Sequence, residues 1–282
     1  MTRRRAFGDG PSVSLFTLGT MRALTSKVQM LSVLRSAHLA GINHVETAPA
    51  YGPAETFLGQ ALRQLDREEA TPAEGSWIIT SKLLPGQPLD QARRALEASL
   101  KRLGRPRLDN LAIHGINREE HLHWAVSGDG AALIDWALAS GKVGQVGFTS
   151  HGSSALIQRA IHTNRFRFCG LHLHLLDPQH LPLMMEALSR QMGVLAISPA
   201  DKGGRLQAPS DQLINDCTPF TPLALAYRFL LAAGVSTLTV GAEKPTDLNL
   251  ANALANQDGP LEEQEAKVLA RLEALRRERL VL

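Results

Sequence analysis

The chain has 282 residues, 44% of them hydrophobic and 20% charged, with a formal net charge of +3. No apolar run approaches the roughly 20 residues a membrane helix needs, and Met1-Thr2-Arg3-Arg4-Arg5 leads into no apolar signal core, so a cytoplasmic, non-membrane protein is expected. Cys169 and Cys217 lie far apart without CxxC spacing, which excludes a cysteine-held metal site and argues against a disulfide framework; no metal is expected.

Short β-rich runs alternate with longer amphipathic runs from about residue 15 onward, the pattern of a parallel sheet with helical crossovers. Before them, Arg5-Ala6-Phe7-Gly8-Asp9-Gly10 and Ser12-Val13-Ser14-Leu15 read as a hairpin turning at Asp9-Gly10 that would plug a barrel floor. The strands expected next are Leu15–Gly19, His44–Ala48, Trp77–Lys82, Asn110–His114, Gln145–Ser150, Phe168–Leu175, Val194–Ser198 and Thr237–Gly241. Between them, Phe57, Leu58, Ala61, Leu62 and Leu65 form one apolar helical stripe, and Ala92, Ala95, Leu96, Ser99, Leu100 and Leu103 form another. Asp201–Phe220, rich in Gly, Pro, Asp and Ser, reads as a long loop. Near the end, Ala270–Arg279 alternates acids, bases and apolar residues as a solvated helix does, so its basic residues do not call for a nucleic-acid partner. The whole predicts a single-domain (β/α)8 TIM barrel over residues 1–282, with a short N-terminal β-hairpin.

In such a barrel the active site is built where strands end at their C-terminal side. Glu46, Tyr51, Lys82 and His114 stand at or just beyond three consecutive strand ends. Each alone reads equally as a surface carboxylate, a loop anchor, a solvated strand end or a core histidine. Together they have a chemical purpose: an ammonium beside a phenol lowers the phenol pKa, a carboxylate holds the ammonium, and the phenol serves as general acid toward a carbonyl oxygen.

Gly41–Gly52 with Glu55 and Gly59, Thr80-Ser81-Lys82 and Leu111–His114 resemble the signature motifs of the aldo-keto reductases, over most of the chain. The resemblance implies a catalytic tetrad of Tyr51, Lys82, His114 and Glu46, with glutamate where the family pattern has aspartate. His114-Gly115-Ile116-Asn117, Gly147–Gly152 and Ile197–Gly204 resemble a microbial subfamily whose barrel is often followed by a ferredoxin-like iron–sulfur segment; this sequence holds no cluster-binding cysteine run.

With no GxGxxG after a strand, a nucleotide-binding Rossmann domain is not expected. The resemblance instead lays NADPH, with NADH as the alternative, across the barrel rim. It assigns Gly19, Thr20 and Met21 to the cofactor side of the first strand and Thr149 with Ser150 to the nicotinamide carboxamide. Ile197 would press on the ring, and Ser198, Ala200, Lys202, Gly203 and Gly204 would cradle the pyrophosphate. Asn252 would bond the adenine. Gly170 stands where the family has a glutamine, Ile197 where it has an aromatic ring, and Ala242 and Leu248 where it clamps a 2′-phosphate with cations, leaving Lys244 as the substitute.

The expected function is NAD(P)H-dependent reduction of a small carbonyl compound. Two other readings stay open: a non-catalytic nicotinamide-binding barrel acting as a redox-sensing or partner-binding subunit, and a lyase or hydrolase using Lys82 as a Schiff base. His172 and His174 alternate along one strand and would point to one side; with His114 or His151 they raise the thought of a metal, though no carboxylate partner is evident. Oligomeric state is open.

Overall fold

A computed structural model of the chain describes residues 3–68, 77–202 and 204–281. Arg4–Phe7 (β1) and Gly10–Ser14 (β2) form an antiparallel hairpin. Its turn is Gly8-Asp9 rather than Asp9-Gly10: Gly8 takes the left-handed φ of +59°, and a Cβ there would run into the Arg167 carbonyl and the Gln145 side chain.

Eight parallel strands follow and close on themselves: Phe16–Gly19 (β3), His44–Glu46 (β4), Ile78–Leu83 (β5), Leu108–Ile113 (β6), Val143–Ser150 (β7), Phe168–His172 (β8), Gly193–Ile197 (β9) and Thr237–Gly241 (β10). Closure comes from β10, which pairs with β9 on one side and β3 on the other. This is the expected (β/α)8 barrel, with strand ends shifted by a residue or more. β6 stops at Ile113, so His114 starts the turn, its N–H donating to the Leu83 carbonyl at 2.7 Å. β8 stops at His172, and His174 sits in an isolated bridge with Asp177. β9 stops at Ile197, and Ser198 bends away with φ +52°.

The helices pack where their apolar spacing puts them. Ala54–Arg67 buries Leu58, Ala61, Leu62 and Leu65, and Leu89–Leu103 buries Ala92, Leu96, Ser99, Leu100 and Leu103. The segment read as one long loop contains a helix, Asp211–Cys217, capped where the Ser210 hydroxyl accepts from the Leu213 N–H at 3.3 Å. At seven residues it is too short to show periodicity; packing of Cys217 and Leu213 with Leu225 and Val268 supports it. The last helix, Glu263–Val281, is pinned by Arg228, which donates to Glu265 at 2.8 and 3.1 Å and to the carbonyls of Gln257 and Pro260 at 2.7 and 2.8 Å. No helix among the described residues is long and apolar enough to cross a membrane.

The hairpin does seal the floor. Phe7 is fully buried against Val13, Ile78, Ala112, Phe168 and Leu195. Above it lies a layer of inward-facing polar side chains joined by hydrogen bonds from strand to strand. Thr237 and Thr17 hydroxyls meet at 2.7 Å, Thr17 meets His44 Nδ1 at 2.7 Å, and His44 Nε2 meets Thr80 at 2.7 Å. Asn110 then donates to Thr80 at 3.0 Å, and Gln145 donates to Asn110 at 2.7 Å and to the Phe7 carbonyl at 2.8 Å. Six strands, β10 and β3 to β7, are thus tied by uncharged groups that satisfy one another, which makes burying them affordable.

Candidate active site

At the opposite, C-terminal end of the strands, β4 and β5 bring Glu46 and Lys82 together. The loop after β4 turns back so that the Tyr51 N–H donates to the Ala48 carbonyl at 3.0 Å, aiming the phenol at the barrel mouth. Lys82 Nζ donates to the Thr47 carbonyl at 3.0 Å and to the Tyr51 hydroxyl at 2.9 Å, and is in direct ionic contact with Glu46 Oε1. The Tyr51 hydroxyl donates to that same carboxylate oxygen at 3.1 Å. Lys82 is 2% exposed and Glu46 6%, so the pair interacts with little solvent screening. His114 meets Tyr51 edge-on, ring centroids 6.0 Å apart. All four expected residues converge.

The electrostatics differ from the expectation. Burial pushes the Tyr51 phenol up to about 12, so the phenol is held protonated and the neighbouring ammonium does not prevail. Burial also pushes Lys82 well below the usual lysine range, while the touching Glu46 carboxylate pulls the other way. With three oxygen partners around Nζ, the ammonium form is the one the site solvates, which disfavours a Schiff-base role. His114 falls to about 4, through burial first and then through Lys82 and His151, and is a neutral imidazole at neutral pH.

Behind this group stands Glu55, which the sequence marked only as part of a motif. It is fully buried, accepts from the Ser81 hydroxyl at 2.6 Å and from Arg102 Nε at 2.7 Å, and so fixes the strand residue next to Lys82. Nothing in the sequence points to the Thr47 carbonyl either; the Thr20 hydroxyl donates to the Thr47 hydroxyl at 2.9 Å.

Around the rim the residues expected to meet a cofactor divide. Gly19 ends β3 beside Gly241 of β10, and Met21 is 61% exposed. Thr149 accepts from the Gly115 N–H at 2.9 Å and keeps its own proton to give. Ser150 has spent its proton on the Ile116 carbonyl at 2.6 Å and accepts from Gly152 at 3.0 Å, so it braces loops rather than facing a ligand. Ile197 leans over Gly170: a Cβ at Gly170 would lie 2.9 Å from Ile197 Cδ1 and 3.0 Å from Thr149 Cγ2. The two departures noted in the sequence are therefore one packing solution.

In the loop after β9, Ser198 and Asp201 both take left-handed φ, +52° and +69°, and Gly204 follows at +73°. The amides of Asp201 and Gly204 are spent inside the loop on Ser198 and Asp201 carbonyls, so they cannot cradle a phosphate. Ala200 accepts from Leu206, Lys202 is exposed, and Gly203 lies outside the described residues. Arg22, at the end of the short 3-10 turn Thr20–Arg22 that follows β3, reaches across the rim to Gln207 at 3.1 Å and adds a cation there. Ala242 and Leu248 are buried, whereas Lys244 and Asn252 are exposed. Among the described residues no three His, Cys, Asp or Glu side chains are grouped to hold a metal ion.

A phenol, an ammonium and a carboxylate thus stand in contact at the mouth of a (β/α)8 barrel. A model of the aldo/keto reductase family matches residues 15–274, and the chain belongs to that family of oxidoreductases. It is 26% identical over 229 residues to the aldo-keto reductase str7 of Strobilurus tenacellus, covering 79% of this chain and 66% of that protein. With the uncharacterized oxidoreductase YqkF of Bacillus subtilis it shares 27% over 219 residues, 74% of this chain and 69% of that one. The matches thus span about two thirds of these relatives' length. The holo form of aldo-keto reductase AKR11C1 from Bacillus halodurans superposes with a TM-score of 0.79 at 19% identity, covering 96% of each chain, a likeness of fold.

Proposed function

We propose that the protein reduces an aldehyde or ketone with a nicotinamide cofactor, Tyr51 acting as the general acid. The observation that carries this reading is the Glu46–Lys82–Tyr51 contact, with His114 beside it, at the open end of the barrel. The cofactor, when bound, supplies the hydride. The remaining work falls to the chain: the Tyr51 proton, turned toward Glu46 in the resting site, swings to the substrate oxygen. Lys82, already donating to that phenol oxygen, stabilises the phenolate left behind. Neutral His114 offers a ring nitrogen to orient the carbonyl.

The rim fits a flat, anionic cofactor in part. Thr149 retains a proton for a carboxamide, Ile197 offers an apolar face, and Lys202, Arg22 and Lys244 supply charge. With Ala242 and Leu248 buried and uncharged, discrimination for the 2′-phosphate rests on Lys244. NADPH is the cofactor of choice, preferred over NADH by no more than about tenfold, as befits one exposed cation. Titration of the purified protein with each nucleotide, following intrinsic fluorescence, tests this. Micromolar binding of both with a small ratio supports the reading; binding of neither removes it and favours a barrel without nicotinamide chemistry.

A further inference from the structure

We propose that the rim carries an anion subsite, formed by His151 and His172 with His180 behind them, which takes a carboxylate or phosphate substituent on the carbonyl substrate. The inference rests on the reductase reading and names its substrate class. His151 follows β7 and is exposed, while His172 closes β8 and is half-buried; their ring centroids lie 4.6 Å apart. Both are fixed from behind: the His151 N–H donates to Asn117 Oδ1 at 2.7 Å, and the His172 carbonyl bonds His180 Nδ1 at 3.1 Å.

The groups that act on the pair are bases rather than acids. Besides burial, His151 feels Lys202 and His180, and His172 feels His151, His174, Lys202 and His180, each disfavouring a further proton. His151 is also tied to the loop that begins at His114, since its backbone N–H donates to Asn117 there, and the His114 ring meets Tyr51 edge-on. The nearby carboxylates are committed elsewhere. Asp201 accepts from Arg205 at 2.7 and 3.3 Å and stands 3.7 Å from His174, Asp177 acts on His174 and Arg205, and Glu46 is held by Lys82. An anion entering beside His151 and His172 supplies the missing opposite charge and favours imidazolium, gaining charge-assisted hydrogen bonds. The substrate is favoured over the cofactor's diphosphate as the source, because Asn117, which holds His151, lies in the loop that starts at His114, beside the phenol that must meet the carbonyl.

The test compares 4-carboxybenzaldehyde with 4-nitrobenzaldehyde. The carboxylate compound should have the lower KM, and that KM should rise as pH climbs from about 4, where free His172 gives up its proton, and level off once the imidazolium of the complex is lost too, while KM for the nitro compound stays flat. His151→Ala and His172→Gln should each shift the KM ratio of the two aldehydes by about tenfold, the worth of one charge-assisted hydrogen bond. A ratio unchanged in both variants overturns the subsite. So does a loss shared by both aldehydes with weakened NADPH binding, which assigns the imidazoles to the cofactor's diphosphate. If neither aldehyde is reduced, the reductase reading fails, and NMR of the imidazole Cε1 protons still decides the subsite. Shifts at His151 and His172 with the carboxylate compound alone support it, and equal or absent shifts overturn it.

Discussion

Two sets of buried polar residues occupy this barrel, one near the floor and one at the mouth, and they do opposite things. The floor layer of Thr17, His44, Thr80, Asn110, Gln145 and Thr237 is uncharged and saturated, each group spending its bonds on another. The mouth holds a charged pair around one phenol whose proton has somewhere to go. Burial and polarity alone therefore do not mark a functional site. An open side and a charge that neighbours can supply or withdraw make the difference.

Three experiments press on that contrast. The largest effect is expected from Tyr51→Phe, which should cut carbonyl reduction by about 10²–10⁴-fold while leaving NADPH binding and thermal stability intact; activity within tenfold of the parent would take the acid role from Tyr51. Lys82→Met belongs to both worlds. It strands the Glu46 carboxylate in a buried place, so urea unfolding should show a loss of about 3–5 kcal/mol alongside the fall in rate. A stability equal to that of the parent would mean that water reaches Glu46. The floor should respond to pH alone. His44, fully buried, is depressed to about 3 from its ordinary 6.5. Below 6.5 the unfolded chain takes up a proton that the folded barrel refuses, so this group's share of stability is complete above pH 6.5. It drains away as pH falls toward 3, by about 4 kcal/mol. Chemical unfolding at pH 7 and pH 4 should show the slope, and His44→Gln should flatten it; an unchanged slope would place the acid sensitivity elsewhere.

The same contrast explains what could be read in advance. The tetrad was legible because Glu46, Lys82 and His114 stand at or beside strand ends, where the barrel architecture assigns meaning to position, and because the motifs around them resemble a known family. The floor layer was not, because its members sit one or two to a strand, and only closure of the barrel brings Thr237 to Thr17. The Tyr51 phenol shifts against the sequence expectation for a related reason: a sequence shows that an ammonium is near but not how little water accompanies it. Glu55 and Arg22 act over contacts of 47 and 185 residues in sequence, distances at which no local pattern speaks.

The leaning of Ile197 over Gly170 also constrains how this rim can change. To place an amide-bearing side chain on β8 and a ring on β9, two positions must be exchanged, and the order matters. Enlarging position 170 first meets a methyl group at van der Waals contact or closer, whereas trimming Ile197 first opens room at the modest cost of a small cavity. The permitted route is thus one-way, and selection or engineering on this face has to loosen before it can rebuild.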